Sequence, residues 1–133
     1  MIEGKVRPRA TEGILRFGMV GGAIGSFIGD VHRKGATFDG QAELVAGSFS
    51  PNYERTLLTG ERLGLDPARL YRDHQEMAEK EAARDDGIDF VIVATPNHAH
   101  YAACKAFLLN GIHVVCDKPL TFTIEEAEEL KTL

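Results

Sequence analysis

Three short segments hold the residues able to do chemistry. Gly21-Gly22-Ala23-Ile24-Gly25 is a glycine-rich turn. Thr95-Pro96-Asn97-His98-Ala99-His100 joins a hydroxyl, a rigid proline and two imidazoles, and Asp117-Lys118-Pro119 sets a carboxylate beside a primary amine. A glycine turn between a strand and a helix lets backbone N–H groups approach a pyrophosphate at the helix N-terminus. Aligned from Gly21, the middle glycine of a G-x-G-x-x-G pattern is Ala23 and the last is Ser26, with Gly22 and Gly25 able to shift the turn. Taken alone, this segment reads equally as an ordinary connector.

Pro96 stiffens its strand exit and presents carbonyls and the Thr95 hydroxyl to a ligand. Asn97 and His98 follow, His98 facing a cofactor phosphate, and His100 either packs or faces a substrate. A His-x-His pair with no carboxylate or cysteine close by is an incomplete zinc site, so no metal is expected. Lys118 is the candidate catalytic residue. It could steer a nicotinamide, hydrogen-bond a substrate hydroxyl or relay a proton. The alternative is an Asp117–Lys118 surface pair, which is worth little.

A fourth segment, Gly47-Ser48-Phe49-Ser50, lacks the acidic residue that usually holds an adenosine ribose at this point. Ser48 and Ser50, with Arg55 a turn further on, could accept a 2′-phosphate, which tilts the cofactor from NAD toward NADP. Equally, Ser50 only caps its helix and Arg55 is solvated.

These segments need elements to position them. Ile14 to Val20, Glu43 to Gly47, Asp89 to Ala94 and Ile112 to Cys116 read as buried strands, with a short further strand around Arg69 to Tyr71. A helix is expected from Ile24 to Lys34, with Phe27, Ile28 and Val31 on one face. A second should open with Ser50 as N-cap and Pro51 at its first position, and run to Leu63. Asp73 with Glu76, and Thr123 with Glu126, form capping-box patterns. Asn97 is placed to cap a helix that Gly111 stops. Strand–helix alternation with near-continuous apolar strands implies an α/β fold, a doubly wound parallel sheet of order 3-2-1-4-5 with helices on both faces. Ligands then bind beyond the carboxyl ends of the strands, where all the segments fall.

The 133 residues fit one domain at residues 13–133, preceded by a flexible lead-in at 1–12. A net charge of −5 argues against a nucleic-acid partner. No apolar stretch is long enough to span a bilayer, and the start has no secretory h-region. Cys104 and Cys116 read as small core residues in a reducing cytoplasm, and His32, His74 and His113 as structural or surface.

From Ile14 to Leu133 the chain resembles the N-terminal half of the glucose-fructose oxidoreductase/inositol dehydrogenase/rhizopine-catabolism (Gfo/Idh/MocA) family. The glycine turn, Thr95-Pro96-Asn97 with its histidines, and Gly111 through Leu120 carry the resemblance. Asp117 stands where that family has glutamate, and Ala23 where it has glycine. The resemblance implies NAD or NADP, hydride transfer with a sugar or polyol, and Lys118 at the nicotinamide and substrate. It also implies a second, mostly β substrate domain that these 133 residues lack. The expectation is therefore a cofactor domain with little turnover alone. The alternatives are half of an enzyme completed in trans by another chain, or an oligomeric interaction module that no longer binds nucleotide.

Overall fold

Residues 13–133 are described by a computed structural model; the expected lead-in, 1–12, lies outside the described residues. Four apolar runs form strands, β1 (Leu15–Gly21), β2 (Ala42–Ser48), β3 (Phe90–Ala94) and β4 (His113–Cys116). All pair in parallel in the order β2-β1-β3-β4. The registers Val20↔Ser48, Gly21↔Ala94 and Val93↔Cys116 bring their carboxyl ends to one edge.

Alternation along the strands sorts side chains into two cores. Phe17, Met19, Ile92 and Ala94 face one side with Phe49 and Leu70. The Phe17 and Phe90 rings stack there at 5.2 Å. Helices α1 (Phe27–Thr37) and α2 (Tyr53–Arg62) belong to this side. Val20, Val91 and Val93 face the other way, against α3 (His74–Ala83), α4 (His100–Leu109) and α5 (Ile124–Thr132), with Met77, Ala103, Phe107 and Leu130 filling the space.

The α/β reading and its doubly wound parallel sheet stand. The strand expected at Arg69 to Tyr71 is reduced to one parallel bridge, Gly47↔Leu70, because Asp66 caps a 3₁₀ turn over Pro67–Arg69 that uses up the segment. Both expected capping pairs form: Asp73 accepts from the Glu76 N–H, and Thr123 and Glu126 make a full capping box.

Three local expectations are corrected. The N-cap of α2 is Asn52, not Ser50; the Ser50 hydroxyl accepts from the Asn52 N–H, and Asn52 Oδ1 then accepts from Glu54. Asn97 opens a 3₁₀ turn, Asn97–Ala99, and no side chain caps α4 behind it. On α1, Ser26 is the cap, and the expected apolar face points outward. Phe27 is 82% exposed, while Gly29 and Arg33 are buried instead. The turn beneath α1 leaves no room for a bulky side chain at Gly29, so packing overrides the apolar pattern.

Candidate functional site

Gly21, Gly22 and Gly25 all have positive φ, at 79°, 73° and 92°, a region that side chains with a Cβ rarely adopt. A Cβ at Gly21 would lie 2.7 Å from the Ala94 carbonyl, because the end of β1 presses on the exit of β3. A Cβ at Gly29 would lie 2.5 Å from the Gly22 Cα, so α1 docks backbone-to-backbone on the turn. The turn is also tied from three sides by side chains. Arg33 Nη1 donates to the Gly22 carbonyl. Arg55 Nη2 donates to the Ile24 carbonyl at 3.0 Å, and Thr59 Oγ1 accepts from the Ile24 N–H at 3.2 Å. With those groups occupied, the Ala23 and Gly25 N–H groups have no acceptor among the described residues.

Beside the turn, β2 ends in buried Ser48, followed by half-buried Ser50. The Thr56 hydroxyl both accepts from the Ser50 N–H and donates to its carbonyl, fixing the segment to α2. Arg55, one residue earlier on α2, is exposed, and its guanidinium reaches back to the Ile24 carbonyl and so links α2 to the glycine turn.

At the exit of β3, Thr95 Oγ1 is buried without a hydrogen-bond partner, a costly condition unless a ligand supplies one. Pro96, Asn97 and His98 are exposed. His100 is wholly buried, with Nδ1 2.7 Å from the Pro119 carbonyl and Nε2 3.0 Å from the Thr95 carbonyl. It therefore joins the second and third segments and is itself out of a ligand's reach. The Lys118–Pro119 bond is cis. Lys118 is exposed, with no hydrogen bond or ion pair among the described residues, and Asp117 Oδ1 lies 3.2 Å from His32 Nε2 without hydrogen-bond alignment.

Cys104 and Cys116 are free thiols behind this edge. Hydrogen bonding with Cys116 holds the Cys104 thiol down, whereas hydrogen bonding with Cys104, together with burial, pushes the Cys116 thiol up. Cys104 packs in the core, and Cys116 Sγ lies 3.3 Å from the Asp117 carbonyl.

All the segments singled out in the sequence thus meet along one sheet edge. Arg33, Gly29 and Thr59 were not singled out as site residues, and His32 was read as structural or surface. A small residue four positions after Gly25 is the one local signal for Gly29; the others are contacts between distant segments. The residues suit a dinucleotide: a cradle that a Cβ would fill, two unused N–H groups, an orphaned hydroxyl and a free amine.

Residues 15–133 match the family model described as an oxidoreductase family with an NAD-binding Rossmann fold. The chain is 48% identical over 120 residues to the uncharacterised oxidoreductase YfiI of Bacillus subtilis, covering 90% of this chain and 30% of that protein. It is 47% identical, with a TM-score of 0.88, to an inositol dehydrogenase homologue from Azotobacter vinelandii in a crystal structure with NADH and myo-inositol; 93% of this chain and 33% of that one are covered. A shorter match, 46% over 52 residues (39% of this chain, 14% of that one), is to the NADP(+)-dependent scyllo-inositol 2-dehydrogenase IolW of Bacillus subtilis. The chain spans about a third of the length of the first two relatives.

Proposed function

The chain belongs to the Gfo/Idh/MocA oxidoreductase family and carries its NAD-binding Rossmann domain, and from that premise we propose which residues hold the cofactor and what they do. The observation that carries the reading is the glycine turn with its Gly22 and Ile24 carbonyls held by Arg33 and Arg55 and its Ala23 and Gly25 amides left over. Gly21, Gly22, Ala23, Ile24 and Gly25 receive the pyrophosphate on these amides and on the positive end of α1. Ser48, Ser50 and Arg55 line the adenosine ribose. Thr95, Pro96, Asn97 and His98 border the nicotinamide half, while His100 positions Thr95 and Pro119 from below. Asp117 and Pro119 set Lys118 over the cleft.

A bound nicotinamide supplies hydride exchange with a CH–OH carbon of a sugar or polyol. Lys118 holds that substrate hydroxyl or passes its proton on. The chain spans about a third of the length of the first two relatives and Lys118 is the one group assigned to the substrate here, so these 133 residues by themselves should bind the cofactor with little turnover. A reducing cytoplasm suits the two free thiols. No helix among the described residues is long and apolar enough to cross a membrane.

With no carboxylate at the end of β2, nothing there repels a 2′-phosphate, and the exposed Arg55 favours it; the lean is to NADP with NAD accepted. Parallel titrations with NADPH and NADH, read by calorimetry, test both points. Saturable binding of both, NADPH the tighter, is expected. Silence with both at millimolar concentration refutes the assignment.

One observation favours a second reading, completion by another chain or a second copy. An apolar groove of about 400 Å³ lies open between α1 and β4, lined by Val31, Ala36, Phe90, Ile92 and Val115. Light scattering that finds a monomer at high protein concentration removes the self-association version.

A further inference from the structure

Arg33 sits at the back of the glycine turn, where charge is expensive. Only 8% of it is exposed, and among the described residues it forms no ion pair. The one carboxylate that acts on it through space, Asp30, is exposed and pairs with Lys34 at 2.9 Å. Burial accordingly pulls the guanidinium below its ordinary value. Its Nη1 donates to the Gly22 carbonyl and lies 3.7 Å from Met19 Sδ, at the junction of β1, the turn and α1. A buried cation without a counter-charge destabilises a fold, and methionine or leucine would fill the same space at less cost. The turn that Arg33 grips also carries the Ala23 and Gly25 amides, which have no acceptor among the described residues, so an anion bound there would supply the missing counter-charge.

We propose that Arg33 is a positioning residue for the diphosphate of the dinucleotide: it turns the Gly22 carbonyl inward so that neighbouring N–H groups point at the anion, and its charge is compensated when the anion arrives. This rests on the cofactor reading above and adds to it the origin of the site's charge. Binding of any ligand with a diphosphate draws on Arg33, whereas adenosine, which has none, does not.

The test is calorimetry on the whole 133-residue chain and its Arg33→Met and Arg33→Lys variants, with NADH, ADP-ribose, inorganic pyrophosphate and adenosine at two salt concentrations. Removing a charge-assisted interaction should raise the NADH, ADP-ribose and pyrophosphate dissociation constants by about 10- to 100-fold in Arg33→Met. Adenosine binding should change less than about twofold, and the salt dependence of NADH binding should flatten, because screening acts on charge. Arg33→Lys keeps the charge without the planar fork and should recover part of the loss and all of the salt dependence. A purely structural role would weaken adenosine in the same proportion and leave the salt dependence unchanged; that result overturns the inference. So does an Arg33→Met variant that binds NADH like the parent. If Arg33→Met does not fold, Arg33→Lys decides: loss of salt dependence despite the retained charge contradicts the proposal. If the parent chain binds NADPH or NADH but the variants behave alike, this inference alone fails. A parent that binds neither removes the cofactor reading and the inference with it.

Discussion

Replacing Gly29 by alanine sets two rules against each other. In an exposed helix interior, alanine is favoured over glycine by about 1 kcal/mol. Gly29 is buried, however, and a Cβ there would stand 2.5 Å from the Gly22 Cα and 2.7 Å from its carbonyl oxygen. That is about 1 Å short of an ordinary carbon–carbon contact. Both neighbours are backbone, so no side chain can swing away. Overpacking of this kind costs about 1–3 kcal/mol, and strain of that size outweighs the gain in helix propensity. The net loss should be about 1 kcal/mol, a fall in melting temperature of roughly 3–6 °C for a domain of this size. Relief comes from sliding α1 off the turn, which also moves the Gly22 carbonyl away from Arg33. NADH affinity should then fall by about tenfold, equivalent to 1.4 kcal/mol. Thermal melts followed by circular dichroism and calorimetric titration with NADH measure both effects. A Gly29→Ala protein that melts higher than the parent and binds NADH as well would refute the close-packing argument.

Other perturbations separate the site from its scaffold. Glu81 is fully buried, accepting from Arg69, the Tyr71 hydroxyl and the Ile88 N–H; Glu81→Ala should cost about 3–5 kcal/mol in urea unfolding, and a loss below about 1 kcal/mol would contradict its role as the counter-charge of Arg69. Thr59→Val keeps shape but orphans the Ile24 N–H, so about 1–3 kcal/mol of stability should go, together with several-fold in NADH affinity. Unchanged binding would mean that Thr59 does not hold the turn. Lys118→Ala should leave unfolding within about 0.5 kcal/mol of the parent, since the amine is exposed and has no partner among the described residues, while weakening NADH binding. A marked drop in melting temperature would assign Lys118 to the fold instead.

What could be read from the sequence was local. Gly111 at φ 75°, the Asp73 and Thr123 caps and the four strands are each specified by residues a few positions apart, although β4, read as buried, has no fully buried residue and leaves Val115 exposed. The site's location was legible for the same reason, because each of its segments ends a strand and parallel pairing aligns those ends. The contacts that shape the site were not. Arg33 to Gly22, Thr59 to Ile24 and His100 to Pro119 join positions 11, 35 and 19 residues apart, and no periodicity encodes them. Helix α1 shows why apolar spacing misleads here. Its buried face is chosen by clearance over the turn, which selects glycine and a long side chain, and Phe27 and Val31 are left outside. The strand expected near Leu70 failed because Pro67 and Asp66 favour a tight turn over a ladder.

Whether these strand-end segments hold the dinucleotide is tested most directly by an amide NMR titration of the 133-residue chain with NADH. Saturable shifts are expected in Gly21 to Gly25, Ser48 to Ser50, Thr95, Asn97, His98, Asp117 and Lys118, with α3 and the Arg69–Glu81 region unmoved. No shifts at millimolar NADH, or shifts confined to the groove between α1 and β4, would contradict that placement.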